Sequence, residues 1–484
     1  MTDFTSNLKP ADTSNGSEIY LRERSQSLLP VQELANHLLS QDGFLERQER
    51  ILKIIEAEPL FSKTNQMNLS RPDRYHLGLA RAKLARRLTD KHRWNLEDQK
   101  MAEYLIDDVS PYHLHMTLFY NTIQEQGSEE QKRYWIPKAE KFEIIGAYAQ
   151  VRKYLMILVS PGSPLTLKQT ELGHGSNVRG LELEARWDSR NHEFILHSPT
   201  LTASKWWNGT LGRTANHAIV VAQLLLPKRN FSSGSKIEYI SFGPHTFIVR
   251  VRDMKSHLPL PGVVIGDIGP KFGYAPMDNA YMLFHQFRIP HSALLSRYSK
   301  VDLNTGEYSK PENPAVVYGT MTFVRSNIVM HARLILARAV TITVRYTSIR
   351  RQFRDRDEDR DSGPEMAVLD YPTVQIRVLP LVATTFALHY SARAMRELFS
   401  RTRKQVDSGD FERLADLHST SSGLKSLCTG LAADGIETCR RALGGHGYGG
   451  SSGFVQLNRD YLSKPTVEGD NWMITQMRCD LELD

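Results

Sequence analysis

The chain has 484 residues, of which 40% are hydrophobic and 24% charged, with a formal net charge of +7. At roughly 150 residues per domain this length suggests about three domains, and the composition excludes a collagen, a disulfide knot and a wholly disordered polymer. The basic excess is spread out rather than gathered into a lysine-rich tract, which argues against nucleic acid and leaves acidic ligands open, phosphate-bearing cofactors among them.

The N-terminal residues 1–16 are polar and lack the basic start and apolar run of a signal peptide. No run of 18 or more apolar residues occurs, so no membrane span is expected. The three cysteines, Cys428, Cys439 and Cys479, form no C-x-x-C pair and read as reduced thiols, with no metal site. These features predict a soluble intracellular protein.

From about Val31 to Lys138 apolar residues recur at helical spacing, as in Leu34, Leu38 and Leu39, then Ile51, Ile54 and Ile55. Gly127 is suited to end one helix, and Ser128 with Gln131 has the capping-box spacing that starts the next. Tyr134-Trp135-Ile136-Pro137 is expected to close that segment. The period then changes. Residues 193–202 alternate, and further β-type runs cover 217–226, 239–251, 263–265 and 281–289, separated by turn signals such as Asn208-Gly209 and Gly269-Pro270. From Tyr318 helical patterns return. Residues 320–346 contain no Gly or Pro and predict one continuous helix; polar breaks follow at 350–363 and 444–453. The expected fold class is α+β: an all-helical N-terminal domain (1–145), a central β-barrel-like domain (146–295) and a C-terminal helical bundle (296–484).

Five segments carry candidate chemistry. In Thr170-Glu171-Leu172-Gly173-His174-Gly175 the glycines allow a planar or phosphate ligand to approach, and Thr170 offers a hydroxyl; the plain alternative is an ordinary turn. Lys205-Trp206-Trp207-Asn208-Gly209 pairs two tryptophans that either fill a core or wall an aromatic cofactor. Gly444-Gly445-His446-Gly447-Tyr448 concentrates backbone N–H groups suited to a pyrophosphate or a flavin ring. It does not follow a strand as a G-x-G-x-x-G nucleotide fingerprint would, which excludes the Rossmann reading. In Val467-Glu468-Gly469-Asp470-Asn471 a carboxylate beside a glycine at a helix start suits a general base, against the alternative of a helix cap. Arg351-Gln352-Phe353 lies at the end of the long helix, where a guanidinium could grip a phosphate.

These blocks, with Tyr148-Ala149-Gln150, Arg179-Gly180-Leu181-Glu182, Gly266-Asp267-Ile268-Gly269-Pro270-Lys271-Phe272-Gly273-Tyr274 and Met277-Asp278-Asn279, resemble the acyl-CoA oxidases, the peroxisomal branch of the acyl-CoA dehydrogenase superfamily. The resemblance runs from about Leu28 to Gln476. It implies FAD held between the β-domain and the helical domains, with oxygen reoxidising the reduced flavin. Thr170 and Gly209 would contact FAD; Arg351, Gln352 and Phe353 would reach the FAD of a neighbouring subunit, so that a homodimer is expected; Gly444, Gly445, His446 and Gly447 would lie near the flavin. Glu468 would take the α-proton of an acyl-CoA, with its own backbone N–H among the donors to the enolate oxygen. The implied products are trans-2-enoyl-CoA and hydrogen peroxide, in peroxisomal fatty-acid β-oxidation. Rival readings are a dehydrogenase that passes electrons to a flavoprotein, and a catalytically dead acyl-CoA-binding or oligomer-modulating protein.

Two departures stand out. Residues 151–169 separate Tyr148-Ala149-Gln150 from the Thr170 block, which in the family follow directly; the segment reads as an in-frame unspliced intron. Val151 begins with GT, Gln169 can be written CAG, and Leu165-Thr166 can encode a CTAAC-like branch site. The alternative is a real surface loop. The chain also stops eight residues after Gln476, where family members continue into a further helical domain, so a C-terminal truncation is expected. Its last residues are not a peroxisomal S-K-L address.

Overall fold

The computed structural model describes residues 16–39, 43–64, 66–148, 170–175, 180–228, 237–310, 319–354 and 365–481, with the backbone alone at 319–321, 407 and 477–481. Residues 151–169, the candidate intron, lie outside the described residues, as do Ala149, Gln150 and Arg179.

Seven α-helices come first: α1 (Gly16–Ser25), α2 (Val31–Leu39), α3 (Phe44–Glu56), α4 (Arg71–His92), α5 (Leu96–Ile106), α6 (Tyr120–Gln126) and α7 (Glu129–Glu140). Gly127 ends α6. The Ser128 hydroxyl then accepts from the Gln131 N–H while the Gln131 side chain accepts from the Ser128 N–H, the box its spacing predicts. Pro137 does not close α7. It sits exposed on the solvent side, and fully buried Ala139 anchors one more turn. Ile51, Ile55, Leu88, Trp94, Met101 and Ile106 make the core of this part.

The strands are β1 (Gly146–Tyr148), β2 (Glu184–Asp188), β3 (Glu193–His197), β4 (Lys205–Asn208), β5 (His217–Pro227), β6 (Tyr239–Arg250), β7 (Val263–Asp267), β8 (Ala280–Phe284), β9 (Phe287–Pro290), β10 (Lys300–Val301) and β11 (Tyr308–Ser309). One edge of β5 pairs in parallel with β1 and, further along, with β2; its other edge pairs antiparallel with β6, and β3 and β9 extend the sheet. A second sheet runs β4–β8–β7. The near-continuous apolar run of β5 follows from burial on both faces. Ala218, Val220 and Leu224 enter the β-core with Trp187, Phe194 and Phe247, while Ile219 turns towards Phe119 and Ile123 of the helical layer.

The run at 281–289 divides into β8 and β9 because Gln286 adopts a φ of 46° and the His285 N–H donates to the Gly262 carbonyl. The alternation at 193–202 ends at His197; Thr200 instead caps a short turn, its hydroxyl accepting from the Ala203 N–H.

The remaining helices are α8 (Gly319–Ile349), α9 (Pro372–Asp407), α10 (Leu414–Ala442), α11 (Gly445–Tyr448), α12 (Phe454–Tyr461) and α13 (Asn471–Leu481). The predicted single helix over 320–346 is α8. By length and composition alone, Thr322–Ile349 would be apolar enough to cross a bilayer. Its inward residues Val329, Ala332, Leu336 and Ala339 pack instead with Leu388 of α9 and Ala432 and Ile436 of α10.

Desolvated histidines contribute to the response of this fold to acid, His331 pushed down furthest, to about 3. Burial pushes His115, His217 and His245 each down to about 4. His115 is held neutral by geometry as well, one ring nitrogen facing the Ala139 carbonyl and the other accepting from the Gly146 N–H. Because the unfolded imidazole titrates near 6.5, the unfolded chain takes up protons that these groups refuse. Stability is therefore complete above about pH 6.5 and is lost as pH falls towards about 4. Urea midpoints measured across that window should fall steadily, and His115→Gln should reduce the slope by about one proton.

Candidate functional site

The first wall of the site is built on a buried ion pair. Glu171 is almost fully buried and accepts from the Glu182 N–H (2.7 Å), the Leu183 N–H (3.1 Å) and the Lys205 ammonium (2.8 Å). Lys205 has no exposed surface; burial pushes its ammonium below the usual lysine range, and the Glu171 carboxylate opposes that shift. The pair fixes the turn after Thr170 against β4, where the Trp206 N–H donates to the Thr170 carbonyl at 3.0 Å. Thr170 lies beside the start of β4 and Gly209 just past its end. A Cβ at Gly209 would lie 2.3 Å from Leu114 Cδ1, so a side chain there would have to displace the tip of Leu114.

The paired tryptophans neither fill the core nor match each other. Trp206 stacks on Tyr281 with ring centroids 5.3 Å apart, while Trp207 is half exposed with a φ of 67°. Between this pair and Gly209, Asn208 is buried. Its amide oxygen and nitrogen, together with the buried Thr170 hydroxyl, have no hydrogen-bond partner among the described residues. A buried polar atom left unsatisfied costs about 1–3 kcal/mol. Unsatisfied groups at both ends of β4 fit a polar ligand with both donors and acceptors.

The second wall is the loop between α12 and α13. Glu468 adopts a φ of 63° and Gly469 one of 99°. The Glu468 carbonyl accepts from Arg325 Nε of α8 at 3.3 Å, and Lys425 of α10 donates to the carbonyls of Pro465 (3.0 Å) and Gly469 (2.6 Å) and to Asn471 Oδ1 (2.8 Å). Glu468 does not lie in the first turn of the helix that follows. Asp470 takes the cap position expected of a carboxylate there, accepting from the Trp472 N–H at 3.0 Å, because α13 begins only at Asn471. The capping alternative therefore belongs to Asp470, and Glu468 is left for another role. The helix before the loop, α12, reaches the segment between β7 and β8: Asp460 accepts from the Tyr274 N–H (2.6 Å), Arg459 donates to the Phe272 carbonyl (2.9 Å), and a Cβ at Gly273 would lie 2.2 Å from the Arg459 carbonyl.

A third group sits at the far end of α8. Arg351, Gln352 and Phe353 run against residues 365–367: the Gln352 N–H donates to the Met366 carbonyl, and Arg351 Nη1 donates to the Glu365 carbonyl at 3.1 Å. Phe353 is exposed with a φ of 63°. The glycine cluster meets the same end of the bundle, with the His446 ring 5.8 Å from that of Tyr346. Its glycines divide by cause. Gly447 is required by packing, since a Cβ there would lie 2.0 Å from the Arg440 carbonyl. Nothing lies within 4 Å of a Cβ at Gly444 or Gly445, so their backbone is open to a ligand. Thr170 and Gly209 thus belong to the strand layer, whereas Arg351 to Phe353 and Gly444 to Gly447 belong to one end of the helical bundle.

Sequence reading missed Glu171, Lys205, Asn208, Arg325 and Lys425. The signal for Lys425 was present: it falls on the stripe Leu417, Ser421, Cys428 and Ala432, a core face on which a lysine needs a reason.

The family model "Acyl-CoA oxidase, C-alpha1 domain" matches residues 318–480, and "Acyl-coenzyme A oxidase N-terminal" matches residues 30–145. Peroxisomal acyl-coenzyme A oxidase 1 of Rattus norvegicus is 37% identical over 459 residues, covering 93% of this chain and 64% of the relative. Its namesake in Arabidopsis thaliana is 37% identical over 453 residues, covering 93% and 63%. Among solved structures, Arabidopsis thaliana acyl-CoA oxidase 1 superposes with a TM-score of 0.84 at 37% identity, covering 94% of this chain and 65% of that one. Acyl-CoA oxidase-2 of Caenorhabditis elegans, solved with FAD, ascaroside-CoA and ATP, gives 0.84 at 33% identity, covering 98% and 67%. This chain belongs to the acyl-CoA oxidase family. It spans about 64% of the length of the curated relatives it matches.

Proposed function

We propose that this chain binds FAD and oxidises acyl-CoA to trans-2-enoyl-CoA with oxygen as acceptor, releasing hydrogen peroxide, in peroxisomal fatty-acid β-oxidation. The observation that carries the reading is the Glu468 loop, a carboxylate on a backbone braced by two buried cations and preceded by a helix, α12, that is tied to the β-domain. Such fixation suits a base that must meet an α-proton in one geometry. The unsatisfied Thr170 and Asn208 side chains support FAD beside β4, and the open Gly444 and Gly445 backbone supports the phosphate-bearing stretch of a second FAD.

Glu468 takes the α-proton, and its own N–H is the donor offered to the thioester oxygen as charge develops there. FAD, when bound, supplies the acceptor for the β-hydride and the route of the electron pair to oxygen. Arg351, Gln352 and Phe353, with Gly444, Gly445, His446 and Gly447, lie at the opposite kind of surface from Thr170 and Gly209. We assign them to the FAD of a second copy in a homodimer. The proposed division into a helical domain to about residue 145, a β-domain to about 295 and a helical domain beyond follows the three cores.

The deciding experiment is the visible spectrum of the purified chain, recorded before and after an acyl-CoA is added without oxygen. A flavin spectrum that bleaches, then returns with one peroxide per acyl-CoA on admitting air, is expected. Bleaching that air does not reverse would replace oxygen by a protein electron acceptor. A flavin that acyl-CoA leaves unbleached would remove the activity.

For the cofactor wall, Thr170→Val is expected to leave thermal unfolding of the flavin-free chain unchanged or slightly raised, since its hydroxyl has no partner among the described residues. FAD affinity measured by fluorescence titration should fall by about 3- to 10-fold, the worth of one hydrogen bond. Equal affinity would take Thr170 out of the cofactor contacts.

A further inference from the structure

We propose that Lys425 is a positioning residue for the Glu468 carboxylate, acting through the backbone of the loop that carries it. The inference rests on Glu468 being the base. Lys425 lies within α10 without exposed surface, among the buried residues Leu417, Ser421, Cys428 and Ala432. An ammonium in such a place is tolerated only where its N–H groups find acceptors. Acceptors from one short stretch meet it: the carbonyls of Pro465 and Gly469 and the side-chain oxygen of Asn471, at 3.0, 2.6 and 2.8 Å. They flank Glu468 on both sides.

The loop needs this hold because of its backbone. Glu468 and Gly469 follow one another at φ values of 63° and 99°. Glycine adopts such values readily, whereas a residue with a Cβ does so only where its surroundings over-determine it. Arg325 holds the Glu468 carbonyl from α8, and Lys425 holds that of the next residue from α10. Asn471 completes the tie, donating to the Ser426 carbonyl at 3.1 Å and the Thr429 hydroxyl at 3.0 Å. Lys425 and Thr429 of α10 thus form one polar cluster with Asn471 at the start of α13, and the base hangs between it and Arg325. Without the ammonium, the Gly469 carbonyl loses the Lys425 donor, the Pro465 carbonyl keeps only the Asn471 N–H, and Glu468 and Gly469 can relax towards ordinary φ. The carboxylate then moves relative to the α-proton, where a displacement of about 1 Å costs about 100-fold in rate.

The test is Lys425→Met, which keeps the length and apolar stem of the side chain, measured in two ways on the full chain. The first uses hydrogen exchange and needs neither flavin nor substrate. The amides of Asn471, which donates to the Pro465 carbonyl, and of Ile474, which donates to that of Asp470, should exchange about 10-fold faster. Amides of α10 around Ala432 and Ile436 should keep their protection. The second is flavin bleaching by acyl-CoA under anaerobic conditions. The saturating rate should fall about 100-fold while the half-saturating concentration stays within about twofold. Lys425→Gln, which retains an amide donor, should recover part of the rate and of the protection.

Unchanged exchange at residues 465–474 in the Met variant overturns the proposal. So does a loss of protection throughout α10, which would make Lys425 a general core residue, or a rise in half-saturation with the rate intact. A Glu468→Gln variant that bleaches at the parent rate would remove the base assignment instead. The exchange readout would still decide whether Lys425 holds the loop.

Discussion

Glu468→Gln is expected to bind FAD and acyl-CoA as the parent chain does and to bleach about 10²- to 10⁴-fold more slowly, the range general-base catalysis supplies. Glutamine keeps the shape of the side chain and the carbonyl that accepts from Arg325, so the loop should stay in place. Only the basic oxygen is removed. The measurement is a stopped-flow record of flavin bleaching at saturating acyl-CoA, with flavin content taken from the visible spectrum of each preparation. Parent-like bleaching would sink the role given to Glu468, and loss of flavin would show that the substitution had disturbed more than the base. Because Asp470 carries the helix cap, no compensating loss of α13 is expected.

Lys205→Met should have the largest effect on stability. The side chain is fully buried against an equally buried Glu171, and its removal leaves a carboxylate without its cation. Breaking such a pair from one side costs about 3–5 kcal/mol, because the remaining charge stays desolvated. Urea unfolding at constant pH should show that loss. The double variant Lys205→Met, Glu171→Gln should regain part of it, since a neutral amide oxygen can still accept from the Glu182 or Leu183 N–H. FAD binding should weaken with the single variant, for Thr170 is the residue next to Glu171. A double variant no more stable than the single one would mean that packing, rather than the unpaired charge, sets the cost.

Much of the framework was legible in the residues. The capping box at Ser128 and Gln131 formed as spacing required, because both of its hydrogen bonds are local. The length of α8 was legible for a similar reason: over residues 320–346 no glycine or proline interrupts the helical period. The β-type character of 217–226 and 239–251 was readable, but not that β5 is covered on both sides. That depends on α6 and α7 packing over Ile219 and Ile248.

Local pattern failed where distant residues changed what a side chain meets. β4 escaped notice because its register shifts between Lys205 and Asn208, so that Lys205 turns into the core while Trp207 turns out. Residues 281–289 were one run by composition and two strands in fact, since Gly262 supplies the carbonyl that bends the chain at His285. In the site, the sequence singled out Glu468, Thr170 and Gly209 by residue type. It could not distinguish Glu468 from Asp470 as the helix cap, because that turns on where α13 begins and on which carbonyls Arg325 and Lys425 reach.

By itself, then, the sequence determined the order of helical and strand segments, the local caps and the family resemblance, all of which are written in neighbouring residues or in short blocks. Tertiary structure alone decided that two buried cations from separate helices hold the Glu468 loop, and that Glu171 and Lys205 meet across 34 positions. A charge is stable inside a protein only with its partners around it, and those partners come from parts of the chain that nothing but folding brings together.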